Sequence, residues 1–206
     1  MQAILDRCTG DENSRVVVAK VIGSRPDIGA LDRAARHGVS ASVLPGEGDT
    51  AAWLTGELRA ADAELVVLAG WMKLVPETVV REYRGRMINI HPALLPAFGG
   101  QGMYGRRVHE AVVRSGARVS GATVHFVDEI YDHGEIIAQW PVPVLDDDDP
   151  ERLAARVLAV EHRLLPTVVE AFADGAFRLG EEGRVLWTRP WFRAETFTMD
   201  RGLIPR

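Results

Sequence analysis

Asn89 and His91 stand two residues apart in the apolar run Met87-Ile88-Asn89-Ile90-His91, with Pro92 next. In an extended strand that spacing puts both side chains on one face, so an amide and an imidazole converge on one point and can hydrogen-bond what lies there. Pro92 biases His91 towards extended backbone and cannot donate to a sheet ladder, which ends the strand and hands its last polar residues to a crevice. A strand end whose Asn and His only satisfy nearby backbone is the other reading these residues leave open. Three further places carry groups able to do chemistry. His125 shares a strand face with Thr123 and Val127, either as a ligand-facing group or as a hydrogen-bonded core histidine. Asp128, Glu129, Asp132 and His133 crowd one loop, but no second cluster with ligand spacing accompanies them, so a solvated turn is expected rather than a metal site. Glu161 falls on the apolar stripe of Val157, Leu164, Leu165 and Val168, where a carboxylate is costly unless it meets a basic side chain or a positively charged ligand group.

The elements that must hold these groups are readable in chain order. Gln2 to Cys8 has helical spacing, and the β-branched run Val16 to Ile22, ended by Gly23, has the pattern of a strand buried on both faces. Ile28 to His37 reads as a helix stopped by Gly38, and Ser40 to Leu44 as a short strand closed by Pro45-Gly46. Asp49 or Thr50 caps a helix to about Ala61, and Glu64 to Ala69 is a second buried strand, which Trp71-Met72-Lys73-Leu74-Val75 leaves after Gly70. Pro76 suits the first turn of a helix reaching about Tyr83. Strands and helices alternating at these lengths predict a doubly wound, mostly parallel α/β sheet, in which ligands collect beyond the carboxyl ends of the strands. Gly70-Trp71-Met72 and Asn89-Ile90-His91 both lie at such ends and can share one crevice.

Ala97 to Met103 carries Gly99, Gly100 and Gly102, either a plain connection or backbone free to approach a ligand. Tyr104 to Ser115 follows as a helix, then Gly121 to Val127 and Glu135 to Val144 as an antiparallel hairpin around the Asp132 loop. A helix capped by Asp149, with Pro150 first, runs to about Asp174 and should kink at Pro166. Phe177 to Leu179 and Val185 to Thr188 form a short hairpin before the tail.

With 206 residues and 47% hydrophobic content, one domain with one core is expected. The net charge of -5 argues against a nucleic-acid partner. Cys8 is the only cysteine, which excludes an intramolecular disulfide and a cysteine zinc site, fits a reducing cytoplasm, and reads as a small buried hydrophobe. There is no apolar run of about 18 residues and no charged leader before an apolar segment, so neither a membrane partner nor export is expected.

Leu68-Ala69-Gly70-Trp71-Met72, the stretch Asn89 to Pro96, the stretch Gly121 to Asp128, Asp132-His133-Gly134 and Glu161-His162 resemble, in the same order, the motifs of the formyltransferase family that uses 10-formyltetrahydrofolate. Glu161-His162 and the short tail favour its phosphoribosylglycinamide branch. The resemblance implies a single Rossmann-like domain over 1-206 with a C-terminal tail from about 180, no metal, and transfer of a formyl group from 10-formyltetrahydrofolate to the amine of 5'-phosphoribosylglycinamide in purine biosynthesis. It implies that Asn89, His91 and Asp132 are catalytic. Met72, Lys73, Leu74 and Val75, together with Asn89, would contact the cosubstrate, and Glu161 would receive the substrate amine. A homodimer is compatible with the same resemblance.

One departure stands out. In the family a first strand, and a Gly- and Ser/Asn-containing turn that holds the ribose phosphate, precede the helix that here begins at Gln2. The expectation is that Met1 is an internal methionine of a longer protein, or that the chain is a truncated copy. The family's arginine near the folate tail also has no counterpart around Asp49-Thr50-Ala51. A formyltetrahydrofolate hydrolase, using the same trio with water, and a non-catalytic folate-binding remnant stay open as alternatives. A methionyl-tRNA formyltransferase would need an RNA-binding domain, for which an acidic chain of 206 residues leaves no room.

Overall fold

The computed structural model of the protein describes residues 1–8 and 14–188. Helix α1 (Gln2–Cys8) leads to strand β1 (Lys20–Gly23), helix α2 (Gly29–Arg36) and strand β2 (Ser40–Val43), which pairs parallel with β1. Helix α3 (Thr50–Ala60) is capped by Asp49, whose carboxylate accepts from the amides of Ala51 and Ala52. Strand β3 (Val66–Leu68), helix α4 (Glu77–Glu82) and strand β4 (Met87–His91) follow, with β3 and β4 parallel. Helix α5 (Arg106–Ser115) ends on the left-handed Gly116, and strands β5 (Val119–Phe126) and β6 (Ile136–Pro143) form the expected antiparallel hairpin. Helix α6 (Pro150–Ala173) and the hairpin of β7 (Phe177–Leu179) and β8 (Val185–Trp187) complete the described residues.

The α/β architecture and the hairpin agree with the sequence reading, but the sheet is divided. The strand order is β3-β4-β5-β6 in one sheet and β1-β2 in another, so one edge of β1 and one edge of β3 meet no strand among the described residues. This explains why the apolar run from Val16 is a strand only over Lys20–Gly23, where β2 supplies a ladder. Val16 and Val18 still pack on the core, while Val17 is 84% exposed. β5 also joins β4 antiparallel, which alternation of helices and strands did not reveal.

Two apolar clusters lie against the four-stranded sheet, and the period of two sorts β4 between them. Met87 enters a cluster with Leu44, Leu54, Val75, Val79, Val80 and Tyr83, whereas Ile88 enters the larger one with Val124, Phe126 and the buried face of α6. α6 is one continuous helix with the buried Pro166 inside it. Val157, Leu164, Leu165 and Val168 are its buried stripe, as the spacing predicts, and Cys8 is buried. No helix among the described residues is long and apolar enough to cross a membrane. The expected tail lies outside the described residues beyond Thr188.

Candidate active site

Register places the site. β4 aligns Asn89 with Leu68 at the end of β3 on one side, and on the other with His125 of β5, while His91 lies opposite Thr123. Directly opposed residues of an antiparallel pair share a face, so Asn89 and His125 meet. The Asn89 amide nitrogen is 3.1 Å from His125 Nε2, and His125 Nδ1 is 2.7 Å from the Phe126 carbonyl oxygen. A carbonyl only accepts, so Nδ1 carries the ring proton and Nε2 is left to accept from Asn89. Burial pushes the His125 pKa down, outweighing the Phe126 carbonyl and Asp132, which act the other way. His125 is thus a hydrogen-bonded core histidine, and it also fixes the orientation of the Asn89 carboxamide.

His91 is 3% exposed and is held between two loops. Its Nε2 lies 2.9 Å from the Phe98 carbonyl and its Nδ1 3.4 Å from Asp132 Oδ2, so each ring nitrogen has an acceptor to donate to. Burial raises the Asp132 pKa, but the hydrogen bond and charge of His91, the Gly100 amide and His125 together hold the carboxyl below its usual range. The Gly100 N–H donates to Asp132 Oδ2 at 3.0 Å, from a backbone φ of 96° that favours glycine. Phe98 and Asp132 themselves sit at φ 56° and 54°, and backbone strain of this kind persists where the surroundings over-determine it. The turn after His91 is pinned from below. Thr123 Oγ1 donates to the Ala93 carbonyl and accepts from the Leu95 amide and from Gln139, which also bonds the Leu95 carbonyl.

Asn89, His91, Asp132 and Glu161 line one cavity of about 920 Å³, with Trp71 and Met72 on its β3 side. Of the four residues expected on a cosubstrate segment, Met72 lines this cavity, whereas Val75 is buried in the second core cluster and Lys73 and Leu74 are exposed beside it. Met72 is 63% exposed and presents apolar surface to the cavity. Glu161 forms no ion pair with a described residue, so the arginine partner that its place on an apolar stripe suggested is not found among them. Burial pushes its carboxyl up to about 7, partly offset by His91 and the Met1 amine. The carboxylate cluster after β5 resolves as a solvated turn in which His133 Nδ1 meets Asp128 at 2.6 Å. No group of three or more potential metal ligands occurs among the described residues.

Residues 1–169 match the family model described as formyl transferase. The chain belongs to the formyl transferase family. It is 43% identical over 180 residues to the chloroplastic phosphoribosylglycinamide formyltransferase of Arabidopsis thaliana, covering 84% of this chain but 61% of that relative, so it spans less than two thirds of the plant protein's length. With the phosphoribosylglycinamide formyltransferase of Escherichia coli it shares 33% over 186 residues, covering 88% of this chain and 85% of the other. The solved glycinamide ribonucleotide transformylase 1 of Symbiobacterium toebii superposes with a TM-score of 0.81 at 40% identity, over 90% of this chain and 87% of that one. In this formyl transferase the sequence pattern had already shown that Asn89 and His91 share a face and that Glu161 is out of place. The orienting role of His125, the Gly100 amide on Asp132 and the Thr123–Gln139 knot went unseen. The alternation Thr123, His125 was the available signal for the first; the other two had none, because they depend on loop paths and on strand register.

Proposed function

We propose that the chain transfers the formyl group of 10-formyltetrahydrofolate to the amine of phosphoribosylglycinamide in purine biosynthesis. The observation that carries this reading is the convergence, in one cavity, of two donors, an ionised carboxylate beside them, and a second carboxylate with no ion pair among the described residues. The Asn89 carboxamide donates a hydrogen bond to the formyl oxygen as negative charge develops on it during attack by the amine, and the His91 ring joins it by exchanging its Nε2 contact with the Phe98 carbonyl for the formyl oxygen. Asp132, its carboxyl held below the usual range beside the His91 ring, moves a proton, directly or through water, from the attacking nitrogen to the leaving folate nitrogen. One C–N bond forms, one breaks, and the formyl carbon keeps its oxidation state. Glu161 accepts hydrogen bonds from the amine and so aims its lone pair, which gives its burial a purpose that no cation among the described residues supplies.

The folate ring system is assigned to the β3 side, along Trp71 and Met72, where the buried indole N–H of Trp71 has no partner among the described residues. Buried Cys8 is in keeping with a reducing compartment, and a cytoplasmic location is part of the proposal. The test is cosubstrate turnover with and without phosphoribosylglycinamide. Formylated product and amine-dependent turnover are expected; deformylation at the same rate without the amine would establish the hydrolase instead.

A further inference from the structure

Among the described residues, three buried side-chain polar atoms lack a hydrogen-bond partner: Trp71 Nε1, His109 Nδ1 and Ser120 Oγ. Two of the three belong to residues lining the same cavity, Trp71 on the β3 side and His109 on α5. A folded chain rarely leaves buried polar groups unpaired, and those that remain cluster where ligand or water completes them.

His109 is the informative one. It is 5% exposed, it lies one turn into α5 and it packs among Val108, Ala111 and Val112, which are buried with it. α5 packs on α6, the helix that carries Glu161, and His109 lines the cavity that Trp71, Met72 and Glu161 also line. Burial and the charge of His91 both hold its pKa below the ordinary histidine range, so the ring is neutral and has one proton to place. Nδ1 is sealed in protein without an acceptor, where an N–H would be more costly than a bare nitrogen. The proton therefore goes to Nε2, the ring nitrogen that is not sealed, on a residue that lines the cavity.

We infer that His109 is a specificity-determining residue of the amine half of the cavity, donating one hydrogen bond from Nε2, directly or through one ordered water, to an uncharged amide or hydroxyl oxygen of the substrate. A protonated ring there would be repelled by the charge of His91; the uncharged donor is not. The inference rests on the function proposed above, because it places the bond on the substrate that carries the amine.

The test compares His109→Phe, which keeps the ring volume and removes the donor, with His109→Gln, whose amide nitrogen reaches close to the position of Nε2. His109→Phe is expected to raise KM for phosphoribosylglycinamide roughly 10-fold, with kcat and the KM for 10-formyltetrahydrofolate changed less than about 3-fold, and His109→Gln to recover most of the loss. Ring-15N spectra of the wild-type protein give a second measurement, independent of turnover and of whether the Phe variant folds. They should show the Nε2–H tautomer, with His109 resonances that move on addition of phosphoribosylglycinamide alone and stay put with tetrahydrofolate alone. Unchanged KM values in a folded His109→Phe protein, a rise confined to the folate KM, or ring resonances indifferent to phosphoribosylglycinamide would each overturn the assignment. If the wild-type protein does not bind phosphoribosylglycinamide at all, the proposed function itself fails; binding that His109→Phe leaves intact sinks this inference alone.

Discussion

At the scale of single residues, the site works by keeping two carboxylates in different states. Asp132 is held ionised by His91, Gly100 and His125, whereas Glu161, with no cation paired to it among the described residues, is pushed up to about 7 by burial. The Glu161 shift sets a sign for stability. An unfolded carboxyl ionises near 4.5 and the folded one near 7, so between these values the folded chain keeps a proton that the unfolded chain has released. Stability from this group is therefore present at low pH, falls as pH rises through that window and is level above it. Glu161→Gln should melt with the wild-type below the window and higher than the wild-type at about pH 8, by ~1–3 kcal/mol, while transfer slows. Melting curves at the two pH values decide it, and a variant less stable at high pH would mean that the carboxylate has a cationic partner. Removing either proposed catalytic partner is predicted to act on rate instead. His91→Ala and Asp132→Asn are each expected to cost about 2.7–4 kcal/mol of barrier, the range for loss of an oxyanion donor or its support, and wild-type rates in both would mean the roles are misassigned.

At the scale of elements, the geometry of the candidate site depends on loops held by close backbone approach. A Cβ on Gly134 would lie 2.0 Å from the Phe126 carbonyl oxygen and 2.8 Å from its carbon, and neither can move without unzipping the end of the β5–β6 hairpin. Gly134→Ala should cost ~3 kcal/mol in urea unfolding and, because Asp132 lies two residues away, lower the rate in the protein that does fold. Gly29, the first residue of α2, has open space around it, so Gly29→Ala is the control and should be neutral or slightly stabilising. The same contrast explains what the sequence could tell. β-branched runs announced β1, β3 and β4, and caps such as Asp49, Asp149 and Gly116 announced the helices, because these signals are local. Their limits were set elsewhere. β1 shortens to the residues that β2 can pair, and α5 begins after Gly105, at φ 54°, instead of at Tyr104. The meeting of His125 with Asn89 needed the antiparallel β4–β5 register, a long-range fact that no window of residues contains.

At the scale of the whole molecule, the cavity draws its walls from Ala69 onward, from the end of β3, the end of β4, the loop before α5, the Asp132 loop and α6, together with the first residues of α1. None of its lining comes from β1, α2, β2 or α3. Those elements form a parallel pair with no strand bonded to the larger sheet, and they join it through the packing of Ile22, Leu44 and Leu54 against α4 and Met87. Packing without a shared hydrogen-bond ladder is the kind of connection that opens sub-globally. A ligand that binds only the folded site stabilises by mass action, about 2.7 kcal/mol at a hundred times Kd, which for a chain of this size is roughly 5–10 °C in Tm. That protection should be uneven. With phosphoribosylglycinamide and tetrahydrofolate bound, hydrogen exchange should slow across Val66–His91, Val119–Pro143 and α6, and change little across Lys20–Gly23 and Ser40–Val43. Equal slowing in both regions would show that the divided sheet nevertheless opens as one cooperative unit, and that the apolar cluster around Leu44 and Met87 couples the layers as firmly as a continuous ladder would.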